Sequence, residues 1–300
     1  MNREISEIEE FEIVFQNLTA LHRLFSEKIF DKHINLSQLL IQKIILHSNT
    51  LKSLLNPIDL INKRNNGYKI SVNDPFSVSS ILRSQIETYA TYRHLFVNPR
   101  GKDDYELRLL FWKYAGINQR QSIKTKLQKH KKRKKQEKKD LENYSIQITN
   151  NRLFKALDVK KKKEVFKRLK NRKWEFTLKN GKIIEQSNNY VFQNSGIRKS
   201  SIRNIYSFLS WRVHPSYLGI IQFKDMFKGN VAKFDTIALL EISRIINSSL
   251  IFDVQVGNTE IIKEYVKLTK PWQFIEYRDN EAFKYKHIFK RQMDEIKKYA

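Results

Sequence analysis

Apolar residues recur at every third or fourth position over most of the chain, and this spacing predicts amphipathic helices. Residues 5–29 show it most clearly, with Phe11, Val14, Leu18, Leu21 and Phe25 on one face. The same spacing, with turn residues between segments, predicts further helices over about 36–56, 75–96, 105–118, 152–173, 199–214, 231–254, 260–268 and 280–299.

Only one segment shows the alternation of a β-hairpin. Residues 174–186 alternate around Asn180-Gly181, which favours a two-residue turn. Residues 56–75 are interpreted as a connector with a turn at Asn66-Gly67. With few glycines and prolines to interrupt helices, the sequence predicts a mainly α fold. We expect a single helical bundle over residues 1–300, with one small β-hairpin and a basic helical insertion at 119–175.

The positive charge is strongly clustered. The chain has 57 Lys and Arg against 31 Asp and Glu, and residues 120–173 alone hold 22 and 5 of them. Such a block favours a polyanion, because bound phosphates release their counterions. We expect nucleic acid, with RNA favoured and DNA also compatible; an acidic protein partner, anionic lipid or a solvated arm are the alternatives. The predicted backbone contacts are Lys129, Lys131, Lys132, Arg133, Lys134, Lys135, Lys138, Lys139, Lys160, Lys161, Lys162, Lys163, Lys167 and Arg168.

Several chemistries lack the residues that they need. The sequence contains no cysteine and no glycine-rich phosphate loop, and its seven histidines are scattered. We therefore expect no metal site and no cofactor. The acidic start is unlike a secretory signal, and charges interrupt each apolar segment, so no membrane span and a cytoplasmic location are expected.

The predicted helix at 75–96 carries three ionisable residues on one stripe. Arg83, Glu87 and His94 lie within about 40° of each other at 100° per residue. The stripe is either an exposed ion pair, or a site where Arg83 binds a phosphate or a carboxylate and Glu87 holds it in place.

A second polar series lies in "YSFLSWRVHPS", residues 206–216. Tyr206, Ser210 and His214 recur every four residues beside an apolar face that includes Leu209 and Val213. Because a residue before proline disfavours helix, His214 is predicted to end its helix. It either caps that end, or acts as a general acid or base on a phosphodiester with Arg212 nearby.

These two stretches resemble a group of bacterial helical proteins that pair an R-x-x-x-E helix with a later Y-x-x-x-S-x-x-x-H helix. That group is similar to the HEPN bundles. The resemblance implies a metal-independent RNA endonuclease of toxin–antitoxin or antiphage systems, or an inactive relative. The matching positions are Arg83, Glu87, Tyr206, Ser210 and His214. In the usual HEPN signature four to six residues separate an arginine from the histidine that follows it, and no histidine here has an arginine at that spacing.

The sequence is therefore compatible with three functions. In the enzyme, His214 is the acid or base, Arg83 and Arg212 neutralise the phosphate, and Tyr206 and Glu87 position them. The alternatives are a non-catalytic nucleic-acid-binding module and a basic adaptor for an acidic protein; a homodimer is compatible with each. At the C-terminus, aromatic residues alternate with cations and are predicted either to stack on bases or to pack into the bundle: Trp272, Phe274, Tyr277, Phe283, Tyr285 and Phe289.

Overall fold

Helices make up most of the chain in the computed structural model, which confirms the mainly α prediction. The structure describes residues 5–27, 32–62, 68–185, 195–196, 199–214, 216–226, 230–257, 259–269 and 273–283. Of the C-terminal aromatic series, Trp272, Tyr285 and Phe289 lie outside the described residues, as do the side chains of Phe274, Tyr277 and Phe283.

Two compact units share the chain. The first unit is formed by Met1–Tyr92 and Asn194–Ala300, and the inserted unit by Arg93–Gln193. The inserted unit therefore begins and ends outside the predicted basic segment at 119–175 and includes all of it.

In the first unit the described elements are α1 (Glu7–Ser26), α2 (Lys32–Ser53), β1 (Ile58–Asn62), β2 (Tyr68–Val72) and α3 (Pro75–Tyr92), and, after the inserted unit, α8 (Lys199–Val213), α9 (Tyr217–Asp225), α10 (Val231–Gly257), α11 (Thr259–Thr269) and α12 (Gln273–Phe283). In the inserted unit they are a π-helical turn (Arg93–Val97), α4 (Lys102–Gln121), α5 (Gln128–Asn150), α6 (Arg152–Lys155), α7 (Val159–Lys170), β3 (Phe176–Lys179) and β4 (Lys182–Glu185).

The long helix α10 organises the first unit. It packs against α1, α3 and α12, while α3 also packs against α2 and α8. The N-terminus of α1 is fixed by a capping box, in which Ser6 and Glu9 satisfy each other's backbone N–H groups. The apolar face predicted for α1 is buried, which places Phe11, Val14 and Leu18 in the core.

Residues 93–97 depart from the predicted continuous helix. The chain changes from α to π geometry at Arg93, and this shifts the side chains that follow. His94 is fully buried, with its Nδ1 3.4 Å from Arg108 Nη1 and its ring 5.4 Å from the Trp174 ring. His94, the third member of the predicted stripe, is thus a buried residue of the inserted unit, whereas Arg83 and Glu87 are partly exposed residues of the first unit.

A second hairpin replaces most of the predicted connector at 56–75. Strands β1 and β2 pair antiparallel from Ile58 opposite Val72 to Asn62 opposite Tyr68. The residues between the strands, including the predicted turn at Asn66-Gly67, lie outside the described part. The prediction of a single hairpin missed this one because the Asn66-Gly67 pair directly precedes β2 instead of lying midway between the strands, although Tyr68, Ile70 and Val72 alternate with polar residues.

The inserted unit has its own apolar core. Side chains of α4, α7 and β3 meet there, with the rings of Phe111 and Phe176 4.7 Å apart and Val165 and Leu169 fully buried. The predicted hairpin is confirmed as β3 and β4, with Asn180 and Gly181 at φ of 49° and 66°. The basic residues 128–150 form an ordered helix, α5, that packs against α4.

Candidate functional site

Arg83 and Glu87 lie one turn apart on α3 and meet Tyr206 from α8. Arg83 Nε donates to Glu87 Oε1 at 3.1 Å, and the Tyr206 hydroxyl donates to the same oxygen at 2.6 Å. The Arg83 guanidinium also lies over the Tyr206 ring, 5.1 Å from its centroid. The two residues that share Glu87 are 123 positions apart in sequence.

His214 completes this group, which we call the REYH cluster (Arg83, Glu87, Tyr206 and His214). It directly follows the last residue of α8, as predicted, and its N–H donates to Ser210 O at 3.2 Å. Its Nε2 lies 3.3 Å from Arg83 Nη1. Because arginine has no acceptor, this contact is a hydrogen bond only when Nε2 carries no proton. In that form the Nε2 lone pair lies beside Arg83 Nη1.

The charges of the cluster are fixed by its internal contacts. Burial and the hydrogen bond to Glu87 raise the pKa of Tyr206 above its usual value, so the phenol keeps its proton at neutral pH. Burial lowers the pKa of Arg83, but Tyr206 and Glu87 outweigh that effect and raise the pKa overall. Tyr206 is therefore a hydrogen-bond donor rather than a base, and Arg83 is a permanent cation.

The cluster is accessible to solvent on one side. His214 is exposed, and the side chains of Arg83 and Glu87 are 25% and 47% exposed. The Arg83 guanidinium uses its Nε donor for Glu87, and its Nη1 lies next to His214. A guanidinium carries five N–H donors. An anion that binds near His214 would therefore contact the guanidinium of Arg83, which Glu87 holds in position.

Ser210 has a local role within α8. Its Oγ donates to Tyr206 O at 2.8 Å, the back-bonding geometry typical of serine inside helices. The described contact of Ser210 is therefore a structural one within α8.

Arg212 lies apart from the REYH cluster in its described contacts. It is buried, and it pairs with Asp235 on α10 and bonds Gln222 on α9. Its guanidinium also lies 4.1 Å from the centroid of the Phe208 ring. The structure thus gives the predicted phosphate ligand Arg212 the task of joining three helices. Sequence reasoning missed Asp235 and Gln222, which carry no local signal of that role.

The predicted backbone-binding residues are divided between α5 and α7. Most are exposed, but several already have partners: Lys134 Nζ donates to the carbonyls of Gln121 and Ile123, and Lys161 pairs with Asp158 at 2.8 Å. Arg133 bonds the buried Glu137. The exposed ones that remain are Lys129, Lys131, Lys132, Lys135, Lys138, Lys139, Lys160, Lys163 and Lys167.

A basic groove of about 520 Å³ runs along α7. Its lining includes five cations and two carboxylates, and Arg168 bonds both carboxylates, Glu164 and Glu185. Lys160, Lys163, Lys167 and Lys173 also line it, and each of these four side chains is exposed. These four exposed lysines are therefore the cations of the groove that phosphates can reach.

The described residues contain no group of three or more His, Asp or Glu side chains able to hold a metal ion. In the same part of the chain, no helix is both long and apolar enough to cross a membrane.

Comparison with known proteins gives no match to a family model, a curated protein or a solved structure.

Proposed function

We propose that the protein is a metal-independent endoribonuclease whose active site is the REYH cluster. The observation that carries the proposal is the contact of Arg83 with His214, two side chains brought together from helices 131 residues apart. It pairs a lone pair able to accept a proton with a cation able to hold a phosphate, on an exposed side of the first unit.

The cluster supports cleavage by the RNA itself. When the substrate phosphate draws the Arg83 Nη1 donor away from His214, the freed Nε2 lone pair takes the proton of a ribose 2′-hydroxyl, and that oxygen attacks the adjacent phosphorus. Arg83 binds the non-bridging oxygens, on which negative charge develops. The bond from phosphorus to the 5′ oxygen breaks, and the leaving oxygen takes a proton from the imidazolium or from water. The products are a 2′,3′-cyclic phosphate and a 5′-hydroxyl.

Glu87 and Tyr206 are positioning residues in this scheme. Glu87 holds Arg83 Nε and so directs the outer edge of the guanidinium towards His214. The protonated Tyr206 in turn holds Glu87, and its ring supports the guanidinium plane. Because the nucleophile comes from the substrate, no metal-activated water is needed.

The inserted unit supplies the affinity for the RNA backbone. Residues 93–193 contain 29 Lys and Arg against 10 Asp and Glu, whereas the rest of the chain contains 28 and 21. Exposed lysines of α5 and of the α7 groove bind phosphates without reading the base sequence. A cytoplasmic toxin or antiphage role follows from the HEPN resemblance and is part of the proposal.

The test is incubation of the full chain with end-labelled RNA in EDTA. We expect cuts that leave 2′,3′-cyclic phosphate ends, no cleavage of the same RNA with 2′-O-methyl groups, and none of DNA. Intact RNA, or cleavage of the methylated RNA, would contradict the mechanism.

A non-catalytic nucleic-acid-binding module is the second candidate, and one observation favours it. Glu87 and Tyr206 satisfy each other inside the cluster, as in a structural network that ties α3 to α8. In that case the chain binds RNA without cutting it, and loss of His214 lowers the melting temperature instead of a rate. Poor RNA binding with a shallow salt dependence would instead favour the adaptor for an acidic protein.

A further inference from the structure

A pocket of about 380 Å³ lies between the end of α4 and the first turns of α5, within the inserted unit. We call it the α4–α5 pocket; it borders the loop of residues 122–127 that joins the two helices. Lys134 holds this loop, because its Nζ donates to Gln121 O at 2.7 Å and to Ile123 O at 2.9 Å. The pocket is therefore formed by contacts within the unit, and its volume falls in the range of about 300–1,000 Å³ that small-molecule sites occupy.

Part of the wall of the α4–α5 pocket is aliphatic. Ile123 lies in the loop and Leu127 directly precedes α5, and the two residues are 59% and 64% exposed. Apolar side chains that line a concave surface favour a ligand whose apolar part removes them from water. One part of the ligand should therefore be apolar.

The rest of the lining is strongly cationic. Among the described residues that line the pocket one is acidic, Glu137, and it is buried. Its Oε1 lies 2.6 Å from Arg120 Nη2 and accepts from Arg133 Nε at 3.1 Å. Its charge is therefore already compensated. The lining also includes four permanent cations, Arg120, Lys124, Arg133 and Lys134, so the other part of the ligand should carry negative charge.

Two of these cations are available to a bound anion. The terminal nitrogens of Arg133 have no hydrogen-bond partner among the described residues, and Glu137 holds the guanidinium through Nε. Lys124 is exposed and has no partner in that part of the chain. In addition, Leu127 gives α5 no side-chain cap, so the first N–H groups of the helix add to the positive potential. A guanidinium held in this way matches the geometry of a phosphate.

We propose that the α4–α5 pocket binds a nucleotide, with the base against Ile123 and Leu127 and the phosphate on Arg133 and Lys124. A fatty acid is less well matched, because it brings one negative charge to a lining with four permanent cations and one compensated carboxylate. The nucleotide is either an unpaired residue of an RNA strand or a free mononucleotide, since both present the same chemistry. The inference goes beyond the cleavage of RNA, because it concerns binding in the inserted unit and holds whether or not the REYH cluster cuts.

The test is calorimetric titration of the full chain with ATP in EDTA, at about 0.15 M salt to screen contacts with single exposed lysines. ATP is a suitable probe because aliphatic walls can contact the face of any base. We expect ATP to bind at least about tenfold more tightly than adenosine, which lacks phosphate, or tripolyphosphate, which lacks a base.

Leu127→Asp should lower the affinity for ATP at least about tenfold, because it replaces an apolar wall with a carboxylate beside the phosphates. Aspartate is a favoured N-cap residue, so the variant should not lose melting temperature. Val159→Asp is the matched control: it makes the same change of charge at a side chain that is 70% exposed, in the first turn of α7. This variant should bind ATP as wild type does.

The affinity of the two variants for single-stranded 2′-O-methyl RNA, which the proposed mechanism cannot cut, identifies the source of the nucleotide. Weaker binding by Leu127→Asp than by Val159→Asp would assign the pocket to a nucleotide of an RNA strand, and equal binding to a free mononucleotide. Absence of ATP binding by wild type, or equal affinity of wild type and Leu127→Asp for ATP, would overturn the proposal. So would equal binding of ATP and tripolyphosphate, or tighter binding of laurate than of ATP.

Discussion

The carboxylate of Glu87 receives hydrogen bonds from two residues with different tasks. One oxygen accepts from Arg83 at 3.1 Å and from Tyr206 at 2.6 Å. The charge of Glu87 therefore directs the arginine, while Tyr206 fixes the carboxylate. A substitution of Glu87 that removes its charge and keeps its shape separates its effect on the cleavage rate from its effect on RNA affinity.

We predict that Glu87→Gln lowers the rate of RNA cleavage by about 10–100-fold, because Arg83 loses the charged partner that directs it. Affinity for RNA should change less than twofold, since the lysines of the inserted unit are untouched. Single-turnover rates and filter binding measure the two effects. An equal loss in rate and affinity would contradict a positioning role.

A second residue-scale prediction concerns Glu276, which is buried between α1, α11 and α12. Its Oε1 accepts from Asn17 at 2.7 Å and from Tyr265 at 2.7 Å. Burial, with the nearby Asp279, raises its pKa to about 7 against the opposing effect of these bonds. Because the folded pKa lies above the unfolded one, the neutral acid stabilises the fold at low pH, and this stabilisation is lost as pH rises from about 4.5 to 7.

We predict that this group costs the wild type about 3 kcal/mol of unfolding free energy between pH 5 and pH 8. Glu276→Gln keeps both acceptor contacts on its carbonyl oxygen and should flatten that dependence. Urea unfolding at the two pH values measures it. The same loss in wild type and variant would show that another group is responsible.

The glycine at the β3–β4 turn gives a prediction at the scale of elements. Gly181 has a φ of 66°, and a Cβ there would lie 3.2 Å from Ala156 O. Gly181→Ala should therefore destabilise the inserted unit by about 1–2 kcal/mol. Gly116 is the matched control: it lies inside α4, exposed and with no atom within 4 Å of an added Cβ.

We expect Gly116→Ala to stabilise the same unit by about 0.5–1 kcal/mol, because alanine loses less backbone entropy in a helix. Urea unfolding of both variants gives the comparison. Changes of the same sign would contradict the turn geometry.

Elements were predictable where their signal is local. The hairpin at 176–185 has Asn-Gly at its centre, whereas five residues separate β1 from β2 and the Asn-Gly pair directly precedes β2. The π turn at Arg93 has no composition signal, so the sequence did not predict the burial of His94 within it.

The same limit applies to the site. The sequence shows that Arg83 and Glu87 are one helical turn apart and that Tyr206 and His214 are two turns apart. Arg212 seemed to belong to that series, but it lies about 200° around α8 from Ser210, so it faces α10 instead. The contact between the two pairs is a tertiary one, and the sequence supported it only through the HEPN resemblance.

The charge distribution gives a prediction for the whole molecule. Lys163 and Lys167 are exposed in the α7 groove. We predict that Lys163→Ala/Lys167→Ala weakens RNA binding and makes the slope of log affinity against log salt shallower by about 1.4, since each phosphate contact contributes about 0.7 for single strands. Lys267→Ala, an exposed lysine of α11, should change neither quantity. An unchanged slope in the double variant would exclude the groove from binding.

The central claim is that the REYH cluster cuts RNA, and one measurement tests it most directly: the single-turnover rate of RNA cleavage in EDTA by wild type, His214→Ala and His130→Ala. His130 is an exposed histidine on α5 and serves as the matched control. We predict a loss of at least about 100-fold for His214→Ala, wild-type cleavage for His130→Ala, and the same melting temperature for all three. Equal cleavage by wild type and His214→Ala would contradict the assignment, as would a fall in melting temperature that accounts for the whole loss.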